Sequence, residues 1–269
     1  VAIDLIHKHQ ATFTMASTPF LNDLSEAVME SHQSLDSLKL FLCAGAPIPS
    51  TLVQKARQNM GVKVISAWGM TECGAVTMTC PEDDDERSFN TDGLPLPGVE
   101  VKIVGDDGET LAPMQSGTLM IRCCSNFGGY LKRPHLNETN AEDWFDTGDI
   151  AYQDEQGYIR IAGRKKDVII RGGENIPVAE VESLIYLHPE IATVALVPYP
   201  DERMGEKACA VVKLKNPEYE LTLPTLLEFL KTHQLANQYL PERLEVWDEL
   251  PMTPSGKIQK FKIRELLAN

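Results

Sequence analysis

The sequence is short of basic residues. Its 269 residues include 25 Lys and Arg against 39 Asp and Glu, a formal net charge of −14. Binding a polynucleotide backbone needs basic surface, so this balance argues against a nucleic-acid partner. No apolar run approaches the roughly 20 residues of a bilayer-crossing helix, so no transmembrane segment is expected. Residues 1–9 carry no apolar stretch led by Lys or Arg, and no signal peptide is visible. The six cysteines (43, 73, 80, 123, 124 and 209) form no Cys-x-x-Cys, and the Cys123-Cys124 pair has no zinc-ligand spacing. The six histidines are equally scattered, so a metal held by a His/Cys cluster is not expected. Thiols distributed in this way suit a reducing compartment, and a cytoplasmic location is expected. Also missing are an internal repeat, a low-complexity tract and a Gly-x-x-x-x-Gly-Lys-Ser/Thr loop.

What is present reads as a globular chain with room for one large domain or two smaller ones. Its charge is uneven. Residues 1–163 carry 11 basic and 23 acidic side chains, a net −12, whereas residues 164–269 are close to neutral at −2. The acidic run Glu82-Asp83-Asp84-Asp85-Glu86 reads as a solvated surface loop.

The element pattern changes along the chain. Helical and strand-like segments alternate at 3–9, 11–16 and 19–31, then at the apolar segment 38–43. Ser50 is a candidate N-cap for a helix ending at Met60, with Gly61 as its stop and a strand over 62–66. Strand, turn, helix, strand is the unit of a parallel sheet, whose ligands sit beyond the carboxyl ends of the strands. Short strands at 99–104, 118–123, 150–152 and 158–162, with Gly-containing turns between, predict a small antiparallel β-unit. A mixed unit follows, with strands at 168–171, 191–197, 207–214 and 243–247. Its helices are expected at 178–187, at 222–233 and from about 258.

Five segments combine turn residues with charged or hydroxyl side chains. They are Gly45-Ala46-Pro47; Trp68-Gly69-Met70-Thr71-Glu72; Asp146-Thr147-Gly148-Asp149; Gly163-Arg164-Lys165-Lys166-Asp167 with Arg171-Gly172-Gly173-Glu174; and Pro251-Met252-Thr253-Pro254-Ser255-Gly256-Lys257. Taken together and in this order, they resemble the motifs of the acyl-adenylate-forming (AMP-binding) enzymes. That family contains the acyl-CoA synthetases, the adenylation domains of peptide synthetases and firefly luciferase. The pattern is most similar to bacterial fatty or aromatic acid CoA ligases, and it runs the length of the chain.

The resemblance implies an α/β fold: part of a large N-terminal domain, with a parallel sheet and a small antiparallel β-unit, then a small mobile α+β lid. On this reading, residues 1–163 belong to the large domain and 164–269 form the lid, with a hinge near Lys166. Gly45, Ala46 and Pro47 would pass along the adenine, and Trp68 would stack on it beside Gly69. Thr71 would offer a hydroxyl to the α-phosphate. Glu72 would give an oxygen to Mg²⁺ held mainly by phosphates. Asp149, acceptor-only when ionised, would take the ribose hydroxyls, with Arg164 nearby. Lys257 would bridge carboxylate, ribose and α-phosphate, offsetting the repulsion between two anions.

The implied reaction joins a carboxylic acid to ATP, giving acyl-AMP and pyrophosphate, after which coenzyme A displaces AMP. Between the halves the lid would turn about Lys166, withdrawing Lys257 and bringing Gly172, Gly173 and Glu174 to the thiol channel. Small residues at 43, 67, 74 and 76 (Cys43, Ala67, Gly74 and Val76) are candidates for an acyl pocket or for simple close packing. The family's Ser/Thr/Gly-rich phosphate loop ending in Pro-Lys-Gly is absent. The chain is therefore expected to be the C-terminal portion of a longer enzyme and inactive by itself. Two alternatives stand beside CoA ligation: delivery of the acyl group to a carrier-protein thiol, and a non-catalytic nucleotide-binding or interaction module.

Overall fold

The computed structural model describes residues 1–45, 48–254 and 256–267. Contacts divide the chain into two compact units, Val1–Ile161 and Ala162–Asn269. The border expected from the sequence, 163/164, lies two residues further on.

The first unit begins with α1 (Ala2–His9), β1 (Phe13–Ala16), α2 (Thr18–Ser31), β2 (Leu40–Ala44), α3 (Ser50–Met60) and β3 (Lys63–Met70). Strands β1, β2 and β3 are parallel neighbours. Then come β4 (Gly74–Met78), α4 (Asp85–Asn90) and β5 (Leu94–Pro95), which extend the sheet in antiparallel fashion. The expected parallel sheet is thus a mixed one of five strands, in the order β1-β2-β3-β4-β5. Its helix-covered core contains Leu21, Leu24 and Val28 of α2, Leu52, Val53 and Ala56 of α3, and Phe41, Cys43 and Val64 of the strands.

A second sheet of four strands follows, from β6 (Val99–Val104), β7 (Gly117–Cys123), β8 (Phe145–Gln153) and β9 (Ile159–Arg164), in that spatial order. Its core joins Ile103, Leu119, Ile121, Phe145 and Ile159 to Val76 of β4 and to Cys73 in the turn before it. Asp92 fastens the two sheets. Its backbone N–H donates to Ile159 O at 2.7 Å, its carboxylate accepts from Ile161 N at 2.8 Å, and its carbonyl accepts from the Thr77 hydroxyl. Burial raises the Asp92 pKa, against the pull of Arg160 at 3.6 Å.

Two local expectations need correction. Ser50 is the first residue of α3, and Pro49 is its N-cap. The carbonyl of Pro49 accepts from Leu52 N and Val53 N, and proline's fixed φ already suits that entry. The acidic run is not all loop. Asp84 caps α4, accepting from Arg87 N at 2.8 Å, because a carboxylate satisfies an orphan donor of a helix start. Gly61 ends α3 in the left-handed region, as expected.

The second unit contains β10 (Ile169–Arg171), β11 (Glu174–Ile176), α5 (Val178–Tyr186), β12 (Ile191–Asp201), β13 (Gly205–Leu214), α6 (Leu223–Thr232), β14 (Arg243–Val246) and α7 (Lys260–Leu267). Strands β12 and β13 pair in antiparallel register and are buried on both faces. With a side-chain period of two, Val194, Leu196, Ala208, Ala210 and Val212 enter the core beneath α5 and α6. Ala195, Val197, Cys209 and Val211 enter a second core with Ile263 of α7. The sheet order is β11-β10-β13-β12, with β14 also paired to β13.

Candidate functional site

In the first unit, β2 and β3 run side by side, with Ala44 paired to Ala67. Gly45 and Trp68 therefore follow at the carboxyl ends of neighbouring parallel strands. Ala46 and Pro47 lie outside the described residues. Trp68 and Gly69 are strand residues, since β3 continues past Ser66 to Met70 before turning into β4. Pairing slips between them. Trp68 faces Thr77 but Gly69 faces Ala75, so Val76 is the extra residue of a bulge. The two backbones close tightly there, because a Cβ on Gly69 would lie 2.1 Å from the Gly74 carbonyl oxygen. Gly69 is thus demanded by the hairpin. Val76 and Cys43 are fully buried, in different cores, so close packing explains both.

The Thr147-Gly148-Asp149 segment is a bulge as well. Thr118 pairs with Ile150 and Met120 with Asp146, which leaves three residues of β8 opposite Leu119 alone. Side chains replace the missing ladder bonds. Thr147 Oγ1 donates to Leu119 O at 2.8 Å and accepts from Asp149 N, and Asp146 Oδ1 accepts from Gly148 N at 2.8 Å. The bulge re-aims Asp149, whose carboxylate accepts the Trp68 indole N–H at 3.0 Å. Asp149 is only 4% exposed. Two motifs 81 positions apart in this unit are so joined by a charge-assisted hydrogen bond.

Glu72 lies in the β3–β4 turn, half-buried, next to exposed Thr71. Its Oε1 accepts the Tyr130 hydroxyl at 2.6 Å, and its carbonyl accepts Phe127 N at 2.7 Å. That hydrogen bond holds the phenol protonated and pushes the Tyr130 pKa up to about 12. Tyr130 is absent from the sequence-based site. Its signal was faint: an aromatic behind Gly128-Gly129 in a polar stretch. Among the described residues no group of three His, Cys, Asp or Glu side chains gathers to hold a metal. A single carboxylate such as that of Glu72 would fit a Mg²⁺ ion held chiefly by phosphate oxygens and water.

The second unit carries the remaining candidates on separate turns. Gly172 and Gly173 form the two-residue loop of the β10–β11 hairpin, with φ of 61° and 91°. Such a loop requires positive φ at both positions, which glycine adopts without penalty. Glu174 is exposed and opposite Arg171 in the pairing. Arg171 donates to Glu242 and to the carbonyls of Leu240 and Gln238, fixing the hairpin to the β14 side. Arg164 and Lys166 are exposed. Arg264 of α7 braces the segment after them, donating to Asp167 Oδ1 at 3.1 Å and to Lys166 O at 3.5 Å.

Lys257 projects from a small turn. Thr253 N donates to Lys257 O at 2.8 Å, and Lys257 N donates to Thr253 Oγ1 at 3.1 Å, inside the Met252–Ile258 bridge. Lys257 is exposed, and Ser255 lies outside the described residues.

Comparisons with known proteins show the family of the chain. The family model described as AMP-binding enzyme matches residues 1–131, and that of the AMP-binding enzyme C-terminal domain matches 180–257. The chain belongs to the AMP-binding enzyme family. It is 38% identical to a medium-chain fatty-acid–CoA ligase of Escherichia coli (strain K12), over 97% of this chain and 46% of that protein. It is 37% identical to the enterobactin synthase component E of the same organism, over 98% of this chain and 50% of that protein. Among solved structures, o-succinylbenzoate CoA synthetase from Bacillus subtilis, in complex with the acyl-adenylate intermediate, superposes with a TM-score of 0.86 at 30% identity. That match covers 98% of this chain and 53% of the other. The chain thus spans about half the length of the relatives it matches.

Proposed function

We propose that this chain supplies the adenylate-binding part and the lid of an ATP-dependent acid–thiol ligase, acting on a fatty acid and coenzyme A. The observation that carries the reading is the Trp68–Asp149 hydrogen bond. It brings an aromatic plane and a buried carboxylate to one place, as recognition of a base and its ribose requires.

In this reading the substrate carboxylate attacks the α-phosphorus of ATP, the bond to the β-phosphate breaks, and pyrophosphate leaves. Gly45, Ala46, Pro47 and Gly69 let the backbone pass close to the adenine beside Trp68. Asp149 and Arg164 hold the ribose. Thr71 donates to the α-phosphate, and Glu72 supplies one oxygen to Mg²⁺. Lys257 neutralises the two approaching anions. In the second half the thiolate attacks the acyl carbonyl and AMP leaves. The lid, residues 164–269, turns about Lys166 so that the Gly172-Gly173-Glu174 hairpin replaces Lys257. The identity to the Escherichia coli medium-chain ligase supports a fatty acid as the acid. No helix among the described residues is long and apolar enough to cross a membrane, and all six cysteines are free, which supports action in the reducing cytoplasm.

The test is calorimetric titration of AMP and ATP into the chain and into Asp149→Ala. Saturable AMP binding, weakened about tenfold or more by the substitution, is expected from the loss of a charged acceptor. Equal affinity of the two proteins for AMP overturns the ribose assignment.

A further inference from the structure

The segment from Ser125 to Tyr130 has no part in the roles assigned so far, yet it is fastened to both halves of the first unit's site. The Ser125 hydroxyl donates to Cys73 O at 2.6 Å, and Phe127 N donates to Glu72 O at 2.7 Å. The Phe127 ring meets Tyr130 edge-on at 4.8 Å and Phe145 at 5.5 Å. Phe145 is buried in β8, four positions before Asp149. The Tyr130 amide donates to Asn137 Oδ1 at 2.8 Å, which fixes the backbone that carries the phenol. Tyr130 is therefore anchored at its amide by Asn137, on its ring by Phe127 and at its hydroxyl by Glu72.

We infer that Tyr130 is a positioning residue for the metal-binding carboxylate: its hydroxyl pins Glu72 Oε1 and leaves Oε2 as the oxygen for the divalent cation. The inference rests on the proposed role of Glu72. A carboxylate on a turn rotates about its side-chain torsions, and immobilising it on cation binding costs entropy. A donor that already holds one oxygen removes most of that cost. The 2.6 Å distance is that of a charge-assisted O–H···O⁻ bond. Partners of this kind around metal ligands are worth about 10- to 100-fold in metal affinity.

The experiment measures ATP binding to the chain by calorimetry across a Mg²⁺ series, together with AMP binding in the absence of metal. Tyr130→Phe keeps the ring and its contacts with Phe127 and removes only the donor. The Mg²⁺ concentration at half-effect is expected to rise about tenfold in Tyr130→Phe, with metal-free AMP affinity unchanged. Glu72→Gln is expected to remove the Mg²⁺ effect. An unchanged half-effect concentration in Tyr130→Phe, with Glu72→Gln altered, overturns the positioning role alone. Loss of metal-free AMP affinity in Tyr130→Phe also overturns it, by showing that the phenol serves the fold. A Mg²⁺ effect that survives in Glu72→Gln overturns the metal-ligand assignment, and the inference with it.

Discussion

The indole Nε1 of Trp68 and the Oδ2 of Asp149 lie 3.0 Å apart, although 81 positions separate the residues in sequence. Each sits at a β-bulge, in β3–β4 and in β8 respectively. A bulge turns a side chain away from the regular alternation of a strand, and here two such turns bring an aromatic donor to a buried acid. Replacing Trp68 by Phe keeps a ring and removes the donor. A loss of about 1–3 kcal/mol in stability, with weaker AMP binding, is expected from denaturant unfolding and calorimetry. Unfolding and affinity identical to wild type would refute the coupling.

Gly69→Ala is expected to destabilise the first unit by about 1–3 kcal/mol, because the new methyl group meets the Gly74 carbonyl at 2.1 Å and the backbone must move. Gly173→Ala meets no atom within 4 Å and carries only the strain of its positive φ, about 1 kcal/mol. Thermal melts of the two variants should rank in that order.

The pH dependence of the second unit should report His188. Its imidazole is buried against Phe229 and Tyr219, and its Nδ1 accepts from Glu190 N. Burial, with a smaller contribution from Lys215, lowers its pKa from the ordinary 6.5. A His with a depressed folded pKa favours the native state when neutral. That contribution is complete above about pH 6.5 and is lost as pH falls below it, because the unfolded chain then binds the proton more readily. The difference in melting temperature between wild type and His188→Phe should therefore shift in favour of the variant between pH 7.5 and pH 5.5. A difference that stays constant with pH would exclude this role.

On the proposed function, Lys257 serves the first half-reaction and not the second. In a ligase assembled from this chain and the N-terminal portion of a relative, Lys257→Ala is expected to slow adenylation by roughly 10²–10³-fold and to spare thioester formation from supplied acyl-AMP. Pyrophosphate exchange measures the first step and thioester release the second. Equal losses in both would contradict the role.

Much of the fold was legible because local rules agree with the tertiary outcome. Strand β6 occupies residues 99–104 as read from alternation, and α5 spans Val178–Tyr186 where 178–187 was expected. The rest required the third dimension. The strand expected to end at Val197 continues to Asp201 through Pro198 and Pro200. Strand β12 is at the end of its sheet order, and both prolines occupy the same face of the alternation, where the missing N–H groups cost no ladder bond. Thr147-Gly148-Asp149 reads as a turn between strands, yet it lies within β8, because the Thr147 hydroxyl and the Asp146 carboxylate substitute for the ladder.

By itself, the sequence determined the family, the order of the motifs and the chemistry that each side chain can offer, since those depend on residue type and spacing. Only the tertiary structure decided that Trp68 is a donor to Asp149, that Gly69 serves a close approach of backbones, and that Tyr130 holds Glu72. These are contacts between segments far apart in the chain. Their partners are set by strand pairing and by the bulges that interrupt it, which no local propensity encodes.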